Sequence, residues 1–398
     1  MHMAAVFGLN QIISHGFGVF LFAALVPMMR ETIAISHWHL ATIGALTQLS
    51  YLAGALLLGV IGHRIDSGRL ALVTGAITTT LLFTMARLSD PVVIGAVLIC
   101  MAACAAISWG AIVEIISRHA DPSRCSTYLS SAASGTAWGY GLNGLIILWL
   151  VPAMGWQSGW LMAGLLGLCA LCFTWRLLRR IGTTGAPVTT SAGSALPVGR
   201  LLITIATERT ALFCCLICFV VGFATMPFAT WLNSYLDELQ LPTALAGYSW
   251  TTVGATGMVA GFVAGKLADH QGPGRALLLV AVGFALGLLA FTLDPARFAL
   301  LAGFGYGLMY FPMWGIIAGW LKQQYSSTAT MQISGIGMVT FGLGGTLGNV
   351  LAGIIHQSSG SLQQVFYILT GDALLLVVLV LFILLSSAGK QGVATAAG

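Results

Sequence analysis

Charge is what this sequence has least of. Of its 398 residues only 16 are Lys or Arg and 11 are Asp or Glu, so charged side chains make up 7% of the chain, against about 25% in soluble globular domains. A chain that is 58% hydrophobic with so little charge cannot cover its own core with polar surface. The mean hydropathy of +0.94 points the same way. A water-soluble fold is excluded, and lipid must be the solvent. The net charge of +5 sits almost wholly in loops and forms no basic stripe, so nucleic acid is not an expected partner.

Other absences narrow the function. No G-x-x-x-x-G-K-S/T run is present, so uphill work would have to draw on an ion gradient. The apolar runs hold no paired acids and no nucleophile with a base beside it, which argues against an enzyme, and no cofactor is expected. Met1-His2-Met3 offers no basic lead-in to a cleaved leader, so the apolar run from Val6 to Met29 reads as a first membrane span. Eight cysteines (Cys100, Cys104, Cys125, Cys169, Cys172, Cys214, Cys215 and Cys218) lie in or beside apolar runs, where cysteine is a small packing residue. A disulfide framework is set aside. The thiols with 14 Met motivate a rival metal or metal-chelate carrier, but no His or carboxylate cluster joins them and no metal site is expected.

What is present is apolar length. A hydrocarbon core of about 30 Å needs roughly 20 residues of helix. Twelve such runs stand between the charged punctuation: Val6 to Met29, Leu40 to Gly62, Leu70 to Leu88, Val92 to Ser117, Ser126 to Val151, Gly159 to Leu178, Ala211 to Leu236, Thr243 to Leu267, Ala276 to Leu293, Phe298 to Leu321, Thr328 to Ile355 and Leu362 to Ser386. Runs without alternation are helices, the form that satisfies its own backbone in lipid. With the N-terminus in the cytoplasm, 13 of the 16 basic residues fall inside and only Arg30, Arg87 and Arg297 outside. That asymmetry orients both termini to the cytoplasm.

The longest hydrophilic stretch, Arg179 to Arg209, is rich in Gly, Thr and Ser and reads as a linker. It divides the chain into a six-helix unit at 1–180, a cytoplasmic linker at 181–208, a second unit at 209–387 and a cytoplasmic tail at 388–398. The units repeat. Gly44, Gly54, Gly62 and Asp66 match Gly247, Gly257, Gly265 and Asp269, Trp109-Gly110 matches Trp314-Gly315, and Asn143 matches Asn349, all at nearly one offset.

Between the eighth and ninth runs stands Gly265-Lys266-Leu267-Ala268-Asp269-His270-Gln271-Gly272-Pro273-Gly274-Arg275. Glycines let helix ends approach, an aspartate pairs with basic groups or caps a helix, and basic residues stay at the surface. The segment resembles the loop signature of the major facilitator superfamily, G-x-x-x-D-x-x-G-x-x-R. With twelve spans, a central linker and the repeat, the resemblance covers essentially the whole chain. It implies an all-α membrane protein of two pseudo-symmetric six-helix bundles in a bacterial inner membrane, monomeric, moving a small-molecule substrate by alternating access with proton coupling; a nontransporting membrane sensor with the same fold is the other reading. The first-half copy, Gly62-His63-Arg64-Ile65-Asp66-Ser67-Gly68-Arg69, departs from the pattern and fits only if three residues are deleted after Asp66. In the family these loops join a charge network that holds the cytoplasmic side shut. By resemblance Asp66, Arg69, Asp269 and Arg275 take that role, although anchoring by positive charge alone also accounts for them. Glu114 stands four residues before Arg118 and is read as part of the same gate.

Polar residues inside spans mark the path. Asn10, Gln11, Ser14 and His15 fall on one face of an α-helix, and that face is expected to line the cavity. Trp109 and Trp314, related by the repeat, join Asn143, Tyr310 and Asn349 as expected substrate contacts, while Pro227 and Pro312 offer kinks. Small residues at four-residue spacing beside Asn143 and Asn349 equally suit close helix packing. Aromatics and amides without deep Arg or Lys suit a neutral, zwitterionic or amphipathic organic solute rather than a gripped anion. His15, whose ordinary pKa of about 6.5 suits proton coupling, and Asp372, deep in the last run, are the proton candidates. A neutral His15 bonded within the helix remains the other reading.

Overall fold

The computed structural model describes residues 3–61, 65–120, 125–181, 198–325 and 327–396, with their side chains except at 59–61, 117, 125–127, 198, 269, 327–328, 331 and 386–396. Helices follow the apolar runs. They are α1 (Met3–Arg30), α2 (His37–Ile61), α3 (Ser67–Met85), α4 (Pro91–His119), α5 (Tyr128–Met154) and α6 (Trp156–Ile181), then α7 (Arg209–Glu238), α8 (Thr243–Gln271), α9 (Pro273–Leu293), α10 (Pro295–Lys322), α11 (Ser327–Ser359) and α12 (Gln363–Ala396). A shorter helix, Val198–Thr207, leads into α7. Among the described residues eleven helices are long and apolar enough to cross a membrane. The exception is α8, long enough at 29 residues but diluted by Thr243, Ser249, Thr251, Thr252, Thr256 and Lys266. The twelve apolar runs of the sequence are thus unequal in hydropathy.

The turns repeat as well as the spans. Asp90 and Asp294 each stand before a proline and cap the helix that follows, Asp90 accepting from the Val92 and Val93 amides at 2.7 and 3.2 Å and Asp294 from the Arg297 amide at 3.1 Å. Gly155, between α5 and α6, and Gly360, between α11 and α12, both take positive φ, 77° and 72°, which only glycine adopts without strain.

Up-and-down connection puts the start of α1 and the end of α6 at one face of the molecule, here the linker face, and the turns after α1, α5, α7 and α11 at the other, the distal face. The two bundles meet along a seam of four helices, α2 against α11 and α5 against α8. Each pair joins one helix of either repeat. Pro227 sits inside an unbroken α7, whereas α10 is interrupted at Phe311, just before Pro312. In α1 a π-helical turn covers Ile12–Phe17.

Candidate functional site

In the distal half of the seam the backbones touch. A Cβ at Gly144 of α5 would lie 2.2 Å from Thr251 Oγ1 and 2.4 Å from the Gly247 carbonyl of α8, and one at Gly254 would lie 2.4 Å from the Gly141 amide nitrogen. On the other side a Cβ at Gly44 would meet Asn349 Oδ1 at 2.8 Å, and one at Gly353 would meet Ala41 at 2.4 Å. Small residues permit this approach, as they do wherever lipid-embedded helices pack closely. Hydrogen bonds also join the two bundles: Asn233 Nδ2 of α7 donates to the Ala24 carbonyl of α1 at 2.6 Å, and the Tyr140 and Tyr306 hydroxyls share one at 2.8 Å.

Toward the linker face the bundles part. Glycines of the same helices and of α10, namely Gly261, Gly265, Gly315, Gly319 and Gly335, would carry a Cβ into open space, with no atom within 4 Å. The hydrogen bonds described there stay within one bundle: Ser67 Oγ and the Arg118 guanidinium both donate to Glu114, Asp66 accepts from the Arg69 amide at 3.0 Å, and Tyr325 donates to Glu208 at 2.6 Å. Glu114 and Arg118 form the ion pair their spacing announces. A small crevice beside them is lined by Asp66, Ser67, Arg118, His119, Leu178 and Ile181. Arg69 and Arg275 are exposed, and the Asp269 side chain lies outside the described residues.

Where the closed seam gives way, aromatic rings from both bundles gather. Tyr310 stacks on Tyr306 at 5.2 Å and meets Phe20 and Tyr140 of the other bundle at 6.3 Å each, and Trp314 packs edge-on against Phe341 at 5.1 Å. His15 stands beside them, its Nε2 bonded to the Tyr51 hydroxyl at 3.1 Å and its Nδ1 to Ser14 Oγ at 3.0 Å. Both ring nitrogens are therefore engaged. A neutral imidazole donates from one and accepts at the other; on gaining a proton it must donate from both, which obliges the Tyr51 hydroxyl to accept.

The polar face expected on α1 is divided. Asn10 donates to Thr174 Oγ1 of α6 at 2.7 Å, Gln11 is buried against Gly135 of α5, and Ser14 donates back to the Asn10 carbonyl. Only His15 of the four turns to α2. The π-helical turn at Ile12–Phe17 is the cause, since its wider turn shifts the positions that 3.6-residue spacing brings together. Asn143 is fully buried and donates to the Gly16 carbonyl at 2.9 Å, while Asn349 accepts from Trp231 Nε1 at 3.1 Å. Trp109 is half-buried among apolar side chains of the N-terminal bundle, and Trp314 holds the corresponding place in the C-terminal one. Asp372 is half-buried on α12, which packs mainly on α9 and α7, away from the seam. Cys214 and Cys218 are buried in α7, where a Cβ at Gly337 of α11 would meet Cys218 Sγ at 3.1 Å, so these thiols serve helix packing.

Tyr51 and Phe341 entered no sequence expectation, although a signal exists for the first. His37, Ala41, Gly44, Gln48 and Tyr51 recur at alternating four- and three-residue steps, the stripe by which α2 faces α11.

Two repeated six-helix bundles, shut against each other at one end and parted at the other around a mid-depth aromatic site, have the architecture of a membrane carrier. A family model, Major Facilitator Superfamily, matches residues 10–333, and the chain belongs to that family: it is an integral membrane transporter of small molecules, not an enzyme. Among solved structures it resembles the nucleoside transporter NupG, at TM-score 0.73 and 15% identity over 96% of this chain and 99% of that one. A substituted form of NupG gives TM-score 0.76 and 14% identity over the same shares. A bacterial homolog of the human lysosomal transporter Spinster, solved inward-facing and unoccupied, gives 0.69 and 12% over 96% of this chain and 93% of that one. At such identity the likeness is one of fold. No curated protein sequence matches the chain.

Proposed function

We propose that this protein carries a small neutral, zwitterionic or amphipathic organic solute across the bacterial inner membrane as a monomer, by proton-coupled alternating access. The positive-inside asymmetry sets the linker face, with both termini, in the cytoplasm. The structure then corresponds to a state open inward. The observation that carries the reading is the aromatic cluster drawn from both bundles at the depth where the seam opens. Stacked and edge-on rings flanked by the His15 imidazole and tyrosine hydroxyls suit a solute with a flat or apolar body and a few hydrogen-bonding groups. Tyr310 and Trp314, with Tyr51, His15 and Trp109 from the other bundle, are the contacts we assign; Asn10, Gln11, Ser14, Asn143 and Asn349 hold the helices that present them. His15 couples the proton, because its bond to Tyr51 passes a change of charge directly to the aromatic wall. Asp372, outside the seam, is the second proton candidate.

Asp66, Arg69, Glu114, Arg118, Asp269 and Arg275 close the linker face in the opposite state, when the N-terminal set on α3 and α4 meets the C-terminal set at the α8–α9 turn. A thermal-shift screen of the purified protein against metabolites tests the reading, since a solute bound by the folded state alone raises its apparent stability. Hits of the stated class that Tyr310→Ala and Trp314→Ala abolish are expected. Hits confined to multiply charged anions overturn the substrate class.

A further inference from the structure

At the distal end of the seam, far from the aromatic site, three ligating side chains converge. His37 opens α2 in the N-terminal bundle, while Glu238 ends α7 and His356 lies in the last turn of α11 in the C-terminal bundle. The His37 and His356 rings face each other at 3.7 Å between centroids, and His356 Nε2 lies 3.9 Å from Glu238 Oε2. One ligand atom from each residue falls within 4.8 Å of the other two. All three are half-buried, open enough to exchange an ion with water at the distal face.

We propose that His37, Glu238 and His356 form a site for a divalent transition metal of the zinc class, which bolts the distal seam shut. Two imidazoles and a carboxylate are a common ligand set for such ions, with bonds of about 2.0–2.2 Å. Ligand atoms 4.8 Å apart reach that geometry by small rotations of the side chains, which a helix start and two helix ends allow. Glu238 is positioned for it: its carboxylate takes the Leu362 amide at 3.0 and 3.1 Å and the Ser361 hydroxyl at 2.8 Å, which fixes the group yet leaves lone pairs toward His356. Trp231, parallel to the His37 ring at 6.1 Å, walls the inner side.

The present neighbour of His37 is Arg30, whose guanidinium nitrogens lie 3.0 and 3.3 Å from the two ring nitrogens. The cation thus occupies the metal's side of the ring. Asp237, whose charge attracts Arg30, offers it a place to swing to when a metal arrives. Because the ligands come from both bundles, the ion binds the distal-closed state alone and shifts the conformational equilibrium toward it. The metal is a brake on the cycle, not its cargo.

The test uses the tag-free, full-length protein in detergent with Zn2+ or Co2+ and no solute, so its outcome is independent of the transport reading. One Zn2+ per chain is expected, with slower amide exchange in the turns at 31–36 and 359–362. His37→Ala and His356→Ala each weaken binding by more than the about 10–100-fold that loss of an outer partner costs, whereas Arg30→Gln tightens it. Bound Co2+ shows ligand-field bands without thiolate charge transfer, which separates this site from Cys214, Cys215 and Cys218. Equal binding by wild type and both histidine variants overturns the site. Binding that His37→Ala leaves intact, or that protects only the 359–362 turn, overturns the bridge between bundles.

Discussion

At Gly144 of α5, in the distal half of the seam, an added Cβ would stand 2.2 Å from Thr251 Oγ1 of α8, whereas at Gly261 and Gly265, further along α8, it would meet nothing within 4 Å. The two regions have similar composition and opposite surroundings. Glycine in the first is needed for backbone approach; in the second it borders a space. A stripe of small residues therefore says that a helix can come close to something, and the geometry says where along the stripe it does. On the proposed reading, contact at one end and separation at the other is one half of an alternating cycle.

The sharpest challenge to this contrast is steric. Gly144→Leu drives a side chain into the Gly247 and Thr251 backbone and is expected to cost more than about 3 kcal/mol, beyond the common range for overpacking because backbone cannot yield. Gly265→Ala, by contrast, should be neutral or stabilising by up to about 1 kcal/mol, as alanine replaces glycine in a helix. Thermal melting of both variants in detergent compares them, and equal losses would break the distinction between closed and open halves.

A smaller loss is expected at Asn233. Its amide donates across the seam to Ala24 and its oxygen accepts from Trp250 Nε1 at 2.8 Å. Asn233→Ala strands the buried Trp250 Nε1 and removes the bond to Ala24, and should lower stability by about 1–3 kcal/mol, together with faster amide exchange near Ala24. A stability change without that local exchange would mean that the bond does not hold the bundles together.

At the boundary between the halves, Tyr310→Ala and Trp314→Ala are expected to weaken solute binding about tenfold or more, the usual range for truncating a central aromatic contact. Wild-type affinity with reduced melting temperature would reduce both to packing. His15→Gln keeps a hydrogen-bonding group beside Tyr51 but cannot gain a proton. Any pH dependence of solute affinity should flatten in this variant, with solute exchange partly retained. Matching pH profiles in wild type and variant shift the coupling role to Asp372, tested in turn by Asp372→Asn.

The least effect on this state is expected at Arg275. Exposed and on the open face, it should tolerate Gln within about 0.5 kcal/mol of stability, while transport slows because the charge acts only when the linker face closes. Unchanged transport would leave Arg275 as a topological anchor.

The amino-acid sequence by itself determined the solvent, the helical class and the duplication, because each is written in local apolar length, charge punctuation or a repeated order of residues. The Glu114–Arg118 pair was legible for the same reason, being four residues apart on one helix. Even the caps follow locally, an aspartate and a proline starting α4 and α10 alike. Tertiary structure decided what those helices do to one another. It separated His15 from Asn10 and Gln11, since a π-helical turn breaks the periodicity on which a shared face was argued. It turned Asn143 and Asn349 into bonds between neighbouring helices, and it brought His37 to His356, more than 300 residues away in the chain. Residues so far apart meet only through the packing of two bundles, which Gly144 and Gly254 bring into contact while Gly261 and Gly265 border open space; no local pattern records which end is closed.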